Sequence, residues 1–356
     1  MITPISKNVY DFNQAPRCFK EAIAHGLIKC SPEDFIVEEV LGFEPSGVGD
    51  HLWLWVESRL ANTSWVITRL ARVLACRKSD IGFSGMKDKH AVSRQWFSVP
   101  RPENEPDWRQ LPEEIKVLNA ILHERKLKRG WHRANRFEIT IRQFSAETTK
   151  IDQRLLELQQ QGFPNYFADQ RFANRAVDLH QLSGRLAAIK SKRDMRQQQF
   201  LLSQARSILF NQVLAQRIED ASWNQVLAGD IMMFNDNNAV FHVDQVEEDL
   251  IQRADQLQIH VTGPLVGAEE TKVTQAVFAL EVEVLADFNE LYLSLAKLKL
   301  ATARRPLRAV PQQLHWKHAP DTLHLQFVLN SGTYATAFIR ELGDFAVANP
   351  NSGIDD

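Results

Sequence analysis

The sequence predicts an α/β (α+β) protein in which strand-forming segments at both ends bracket a helix-rich middle. Three observations predict it. Residues 34–41 (DFIVEEVL) and 51–57 (HLWLWVE) are dense in β-branched and aromatic side chains. Beyond residue 150 the apolar spacing changes to the period of helices. Near the end, Leu323, Leu325, Phe327 and Leu329 alternate once more as a strand. No repeat or low-complexity linker divides these parts, so a last strand returning to the first sheet would make the middle an inserted domain.

The elements follow in order. Residues 34–41 and 51–57 read as paired strands. Leu52, Leu54 and Val56 alternate with Trp53 and Trp55, so both faces of the second strand should be buried, and the connector EPSGVGD suits a hairpin. A helix follows, capped by Asn62 or Thr63, with Val66, Leu70, Val73 and Leu74 on one face. Short strands at 80–83 and 96–99 flank a charged loop. In residues 135–142, Phe137, Ile139 and Ile141 alternate with Glu138, Thr140 and Arg142, a strand with one wet face. Helices are expected at 151–161, stopped by Gly162, at 200–217 and at 288–303. The last strand leads through Ser331 and Gly332 into a helix at 333–342.

Composition narrows the class. With 356 residues, 44% hydrophobic and 24% charged, the chain can form one large or two ordinary globular cores. No apolar run approaches the roughly 20 residues that span a bilayer. The start, MITPISKNVYDFNQ, has neither the basic nor the apolar part of a secretion signal. Three cysteines (Cys18, Cys30, Cys76) without a C-x-x-C fit a reduced cytoplasmic protein with no zinc site. The net charge of -2 conceals basic runs: Arg125, Lys126, Lys128, Arg129, Arg133, Arg136 and Arg142, then residues 185–196, then Arg304, Arg305 and Arg308. Acids gather elsewhere, at Glu247, Glu248, Asp249, Asp355 and Asp356. The first basic run carries Trp131, His132 and Phe137, a mixture suited to RNA.

Residues 82–95, GFSGMKDKHAVSRQ, are the most informative stretch. One carboxylate, Asp88, stands between Lys87 and Lys89, before His90 and after a glycine-punctuated turn. Neighbouring cations favour the ionised carboxylate, which suits a nucleophile or base. Taken by itself, such a loop is also what a solvated charged turn looks like. A phosphate-cradling reading fails on spacing, because a P-loop requires G-x-x-x-x-G-K-[ST] and here an acid follows the lysine.

The run GMKDKHAVSRQ resembles the catalytic signature of the TruD family of tRNA pseudouridine synthases, G-x-K-D-x-x-A-x-x-x-Q, with Gly85, Lys87, Asp88, Ala91 and Gln95 on its positions. The resemblance extends over most of the chain. Lys29 precedes Pro32, and Phe35, Val37 and Glu39 match F-x-V-x-E. Asn135 and Phe137 match N-x-F. Residues 162–167 (GFPNYF) with Gln170, Arg171 and Phe172 match G-x-PNYFG-x-QRFG. Ser203, Ala205, Arg206, Ser207, Phe210 and Asn211 match a helical S-x-A-R-S-x-x-F-N. Thr262, Gly263, Pro264 and residues 332–336, with Arg340 and Glu341, complete the set. Ala168 and Ala173 stand where the family has glycine, Asn330 where it has proline, and Thr333 where serine is common. An alanine there is strained wherever the backbone has positive φ.

The resemblance implies a pseudouridine-synthase-like catalytic domain with a mixed β-sheet flanked by helices, formed by residues 1–156 and 308–356. Residues 157–307 would be an inserted α/β TRUD domain, with an RNA-binding cleft between the two. It implies isomerisation of uridine 13 in the D arm of tRNA without cofactor or metal. The only implied partner is tRNA, with no membrane and no obligate protein partner. Asp88 would be the catalytic residue. Lys29 would hold it ionised, Asn135 bond the uracil edge, Phe137 stack on the flipped base, and Glu39 and Gln95 support the substrate site. Lys87, Lys89, His90, Lys128, Arg129, Arg171 and Arg206 would contact RNA or support the loop. The other reading is a non-enzymatic protein that clamps tRNA; only the chemistry of Asp88 separates the two.

Overall fold

A computed structural model describes residues 8–348; the first seven residues and the acidic end with Asp355 and Asp356 lie outside the described residues. Its contacts divide the chain into two compact units. One gathers the described residues up to Glu21 with Gln160–Val310 and Thr333–Glu341. The other gathers Ala22–Gln159, Pro311–Gly332 and the described residues from Leu342 on. Residues 333–341, expected from sequence among the flanking segments, group with the middle one. Phe338 is fully buried there, its ring 5.3 Å from Phe163.

The second unit is built on a mixed ten-stranded sheet. Along its main path the strands run Gln312–Ala319, Thr322–Asn330, Ala134–Ala146, Phe35–Val40, Val92–Pro100, His51–Arg59 and Ile115–His123. The strand Thr322–Asn330 does return, pairing antiparallel with Ala134–Ala146 so that Phe327 faces Phe137 in register. The hairpin expected between the first two strands does not form. Val92–Pro100 lies between them, parallel to Phe35–Val40 and antiparallel to His51–Arg59. The long connection through the helix Thr63–Val73 and the charged loop allows this insertion, which local pattern could not reveal.

His51–Arg59 is central and covered on both faces, as its near-continuous apolar run requires. Leu54 and Val56 pack with Val66, Ile67 and Leu70 of the helix and with Phe97, while Trp53 packs with Leu41 and Leu127 on the opposite face. Each such side chain, fully buried, contributes about 2–3 kcal/mol. Asn62 caps the helix, its Oδ1 accepting the Trp65 N–H at 2.8 Å. Four strands of this sheet escaped the sequence reading, Ala24–Ile28, Ile115–His123, Gln312–Ala319 and Gly343–Val347; the last runs parallel to the first.

The first unit centres on the helix Gln199–Glu219, buried around most of its circumference, beside an antiparallel sheet of Val240–His242, Ile231–Phe234, Ile259–Leu265 and Ala303–Pro306. The helix expected at 288–303 is shorter, Asn289–Lys297, and a further helix, Gln275–Ala286, precedes it. Buried charges here are paired. Arg217 bonds Asp230 at 3.1 and 3.2 Å, and Arg304 bonds Glu281 at 2.7 and 3.1 Å. Arg308 donates to His260 Nδ1 at 3.1 Å, and burial pushes that imidazole down to about 3. Arg304 and Arg308, two members of the third basic run, thus serve internal bonds. Of the two alanines in glycine positions, Ala173 is left-handed at φ +57°, while Ala168 has ordinary extended backbone.

Candidate active site

Lys29 and His90, which bond Asp88, belong with it to the second unit. The short strand Gly82–Phe83 pairs with Phe97 and Ser98 and delivers the chain into the loop that carries Asp88. Two buried side chains hold that loop. Gln95, on the adjacent strand, donates its amide to Gly85 O at 3.2 Å. Thr63, the first residue of the helix, donates to Gln95 Oε1 at 2.9 Å and accepts the Lys87 N–H at 2.9 Å. Both residues are 1% exposed, so loss of either leaves a buried polar group unsatisfied, at a cost of about 1–3 kcal/mol. Sequence reading weighed Thr63 only as a helix cap; nothing in the pattern marks it as a loop anchor.

Two lysine–carboxylate pairs lie at the loop. Lys29 bonds Asp88 Oδ2, and the His90 N–H donates to Asp88 Oδ1 at 3.1 Å. Burial alone would raise the Asp88 carboxyl, but the charge and hydrogen bond of Lys29, with the His90 amide, hold it below the usual aspartate value. Asp88 retains 23% of its side-chain surface and Lys29 only 8%. Lys29 sits in left-handed backbone at φ +58°, directly after the strand Ala24–Ile28. For lysine that conformation costs about 1–2 kcal/mol, the kind of local strain found where a functional group is held in place. Its ammonium lies 4.6 Å from the centre of the Phe35 ring.

Lys87 forms the second pair. Its Nζ donates to Glu39 Oε1 at 2.7 Å and to Asn135 Oδ1 at 2.9 Å, with both side chains of the ion pair buried. The other Glu39 oxygen accepts the Trp96 N–H at 3.1 Å. Burial pulls the Lys87 ammonium below its usual value against the opposing charge of Glu39. So the cation that serves Asp88 is Lys29, distant in sequence, and the adjacent Lys87 is spent on Glu39 and Asn135.

His132 completes the buried floor. Its Nδ1 shares a 2.6 Å hydrogen bond with Ser84 Oγ, and Nε2 lies 2.9 Å from Ser331 Oγ and 3.4 Å from Asn135 Nδ2. Burial, reinforced by the Lys87 charge and opposed by Glu39, lowers its pKa and favours neutral imidazole. Gly85 packs over this group: a Cβ there would lie 3.1 Å from His132 Cε1 and 3.5 Å from Glu39 Oε1. Phe137 is 7% exposed, stacked 5.4 Å from Phe327 and edge-on at 6.1 Å to Phe35. Ser84, His132 and Ser331 carried no sequence signal for this site.

Lys89 and His90 are exposed on the loop. Arg129 covers the Phe83 ring at 3.6 Å, and Lys128 lies 5.9 Å from that of Trp131. Arg171 and Arg206 belong to the first unit, where Arg206 bonds Leu265 O at 2.7 Å and Ala301 O at 3.0 Å. Chemically, the cluster presents one part-open, ionised carboxylate on a clamped loop, suited to attack carbon or accept a proton. Among the described residues no group of three or more His, Cys, Asp or Glu is arranged to hold a metal ion, and no helix is long and apolar enough to cross a membrane.

Comparison with known proteins bears on the family, over most of the chain. The family described as tRNA pseudouridine synthase D (TruD) matches residues 12–194 and 187–342. A relative named tRNA pseudouridine synthase D from Methylococcus capsulatus is 39% identical over 337 residues, covering 94% of this chain and 95% of its own. One of the same name from Pseudomonas entomophila is 40% identical over 339 residues, with 94% and 95% coverage. A Methanosarcina mazei crystal structure carrying the tRNA pseudouridine synthase D (TruD) name superposes with a TM-score of 0.67. It is 19% identical and is covered over 93% of this chain and 95% of its own, a likeness of fold. By its family match and its near-full-length relatives, the chain belongs to the tRNA pseudouridine synthase D (TruD) family.

Proposed function

We propose that this protein isomerises uridine 13 in the D arm of tRNA to pseudouridine, with Asp88 as the catalytic residue. The bond between ribose C1′ and uracil N1 breaks, the base turns, and C5 bonds C1′. The C5 proton leaves and N1 gains one, so neither redox change nor hydrolysis is involved. Asp88 takes part either by attacking C1′ or by removing the C2′ proton. The observation that carries the proposal is the state of Asp88: ionised through Lys29, yet a quarter open on a loop fixed from both sides.

The target uracil must leave its stack before it can reach Asp88, at a cost of a few kcal/mol. Phe137, 7% exposed, stacks on the flipped base. Asn135, already held by Lys87, bonds the uracil edge, and Lys29 doubles as a phosphate or ribose contact. Glu39, Lys87 and Gln95 act through the loop, as positioning groups. Lys89, His90, Lys128, Arg129 and Arg171 meet the RNA backbone; Arg206 supports the loops it bonds.

The decisive test is Asp88→Asn. Pseudouridine formation in tRNA, measured by base mapping, should fall by roughly 10⁴-fold or more. Affinity for tRNA should stay within a few-fold. An Asn variant that still modifies tRNA would remove Asp88 from the chemistry, loss of binding together with activity would make Asp88 a binding group, and a wild type that binds tRNA without modifying it would be a protein that only clamps RNA.

A further inference from the structure

The Asn135 amide lies between Lys87 and His132, and the direction of each bond it makes is forced. All of these groups belong to the second unit. Asn135, on the strand Ala134–Ala146, is 9% exposed, and His132, just before that strand, is 7% exposed. The Lys87 ammonium can only donate, so the atom 2.9 Å from it is the amide oxygen. Nδ2 is then the atom that faces His132 Nε2, at 3.4 Å. An amide nitrogen can only donate, so Nε2 carries no proton and accepts. The ring proton therefore sits on Nδ1 and goes to Ser84 Oγ at 2.6 Å. Ser84 and Ser331, the latter 2.9 Å from Nε2, do not choose the tautomer, because a hydroxyl can give or accept. Asn135 does choose it. Burial, against the pull of Glu39 and with the push of the Lys87 charge, lowers the pKa of the ring and keeps it neutral.

One Nδ2 proton of Asn135 remains. Among the described residues it meets no protein acceptor. A base that reaches Asn135 is thus offered a donor and no acceptor. Along the edge of uracil a carbonyl, an N–H and a second carbonyl alternate, so this proton suits either carbonyl and opposes the N–H between them. Cytosine carries an amino group in place of O4, where donor would meet donor. A buried group made to bond one partner rejects the analogue that lacks it, because the group is left unpaired.

We infer that His132 is a positioning residue: as the neutral Nδ1–H tautomer, and opposite Lys87, it holds the Asn135 amide turned to donate to a uracil carbonyl. The inference deepens the isomerase reading and rests on it for the meeting of Asn135 with the base.

In protein with nitrogen-15-labelled histidine, the His132 ring, assigned through His132→Gln, should show a protonated Nδ1 and a bare Nε2 at neutral pH. A protonated Nε2 overturns the inference, whether or not the protein modifies tRNA. Substitution separates positioning from packing. Glutamine reaches the place of Nε2 and can offer an oxygen there, whereas asparagine reaches only that of Nδ1. His132→Asn should lose about tenfold in turnover with tRNA affinity within twofold, and His132→Gln should keep most of its turnover. In an Asn135→Ala background the two should turn over alike. Equal losses in the Gln and Asn variants, or losses that persist without Asn135, would make His132 a packing residue.

The carbonyl is identified with tRNA carrying 4-thiouridine or 2-thiouridine at the target position, since sulfur accepts hydrogen bonds poorly. One of the two should slow the wild type about tenfold and leave Asn135→Ala unaffected. If neither slows the wild type, or both proteins are slowed equally, Asn135 donates to no carbonyl and the inference falls. This arm needs no change at residue 132, so it holds even where those variants fail to fold. An active wild type that fails these tests leaves the isomerase reading standing. A wild type that modifies no tRNA sinks that reading and the uracil contact with it, while the tautomer still decides what His132 does to Asn135.

Discussion

The two lysine–carboxylate pairs at the loop are chemically alike and physically opposite. In Lys87–Glu39 the side chains are 5% and 0% exposed; in Lys29–Asp88 they are 8% and 23% exposed. Glu39 has both oxygens bonded inside the protein, to Lys87 and to the Trp96 amide. Both Asp88 oxygens are bonded as well, to Lys29 and the His90 amide, but 23% of its side-chain surface stays exposed. A sealed pair fixes geometry, and its charges are unavailable to a substrate. A part-open pair keeps a carboxylate ionised without closing it off. The same two kinds of charged group thus form a sealed scaffold or an accessible ionised carboxylate according to what surrounds them.

Breaking the sealed pair should have the largest effect. Lys87→Met leaves the Glu39 charge buried and uncompensated, so urea denaturation should show a loss of about 3–5 kcal/mol. The double variant with Glu39→Leu should recover most of it, since replacing both charges with apolar groups is often near neutral. If Lys87→Met is as stable as the wild type, the pair is not sealed. Lys29→Met should reverse the balance, cutting turnover at least about a hundredfold while stability changes far less. Because the folded Asp88 value is lowered, its stabilisation is present above the unfolded value of ~3.9 and disappears as pH falls through the folded one. Any stability difference between wild type and Lys29→Met should therefore close below about pH 4. The acid limb of the activity profile should move to higher pH in the variant, where burial acts on Asp88 unopposed.

A smaller effect is expected at the clamp. Thr63→Ala should lower the turnover rate by about tenfold with little change in KM, and Thr63→Ser should restore it, because the serine hydroxyl makes both bonds; about 1–3 kcal/mol of stability goes with the hydroxyl. Equal loss in Thr63→Ser would show that the methyl packing matters instead. The smallest effect concerns His132, whose folded value lies below that of the unfolded chain. Its contribution is intact above about pH 6.5 and lost on acidification, by at most about 1.4 kcal/mol per pH unit. A His132→Gln variant should show a flatter stability profile between pH 7 and 5; an identical slope would remove His132 from the acid response.

Much of the second unit was legible because its strands carry their own period. The alternation through Phe137, Ile139 and Ile141 and the double-faced burial around Trp53 and Leu54 follow from local pattern alone. Strand order was not, since the placement of Val92–Pro100 between the first two strands depends on a long connection. Gln312–Ala319 lay hidden because its inward and outward residues alternate weakly and it is stabilised by pairing with Thr322–Asn330. At the site, motif residues announced themselves, but Thr63, Ser84, His132 and Ser331 did not. A threonine at a helix start or a serine in a turn has many ordinary uses.

By itself the sequence determined the residues that matter at the loop, the periods of most elements, and the prospect of a carboxylate kept ionised by a lysine. It named two adjacent candidates for that lysine, Lys87 and Lys89, and one distant one, Lys29. The family resemblance pointed to the distant one, and only the tertiary structure shows the physical reason. Sheet order brings Glu39 and Asn135 beneath Lys87, while the left-handed turn after Ala24–Ile28 holds Lys29 at Asp88. Proximity along a chain sets which charges can be near one another. Burial and hydrogen-bond direction, which exist only in the folded state, set which of them act on each other.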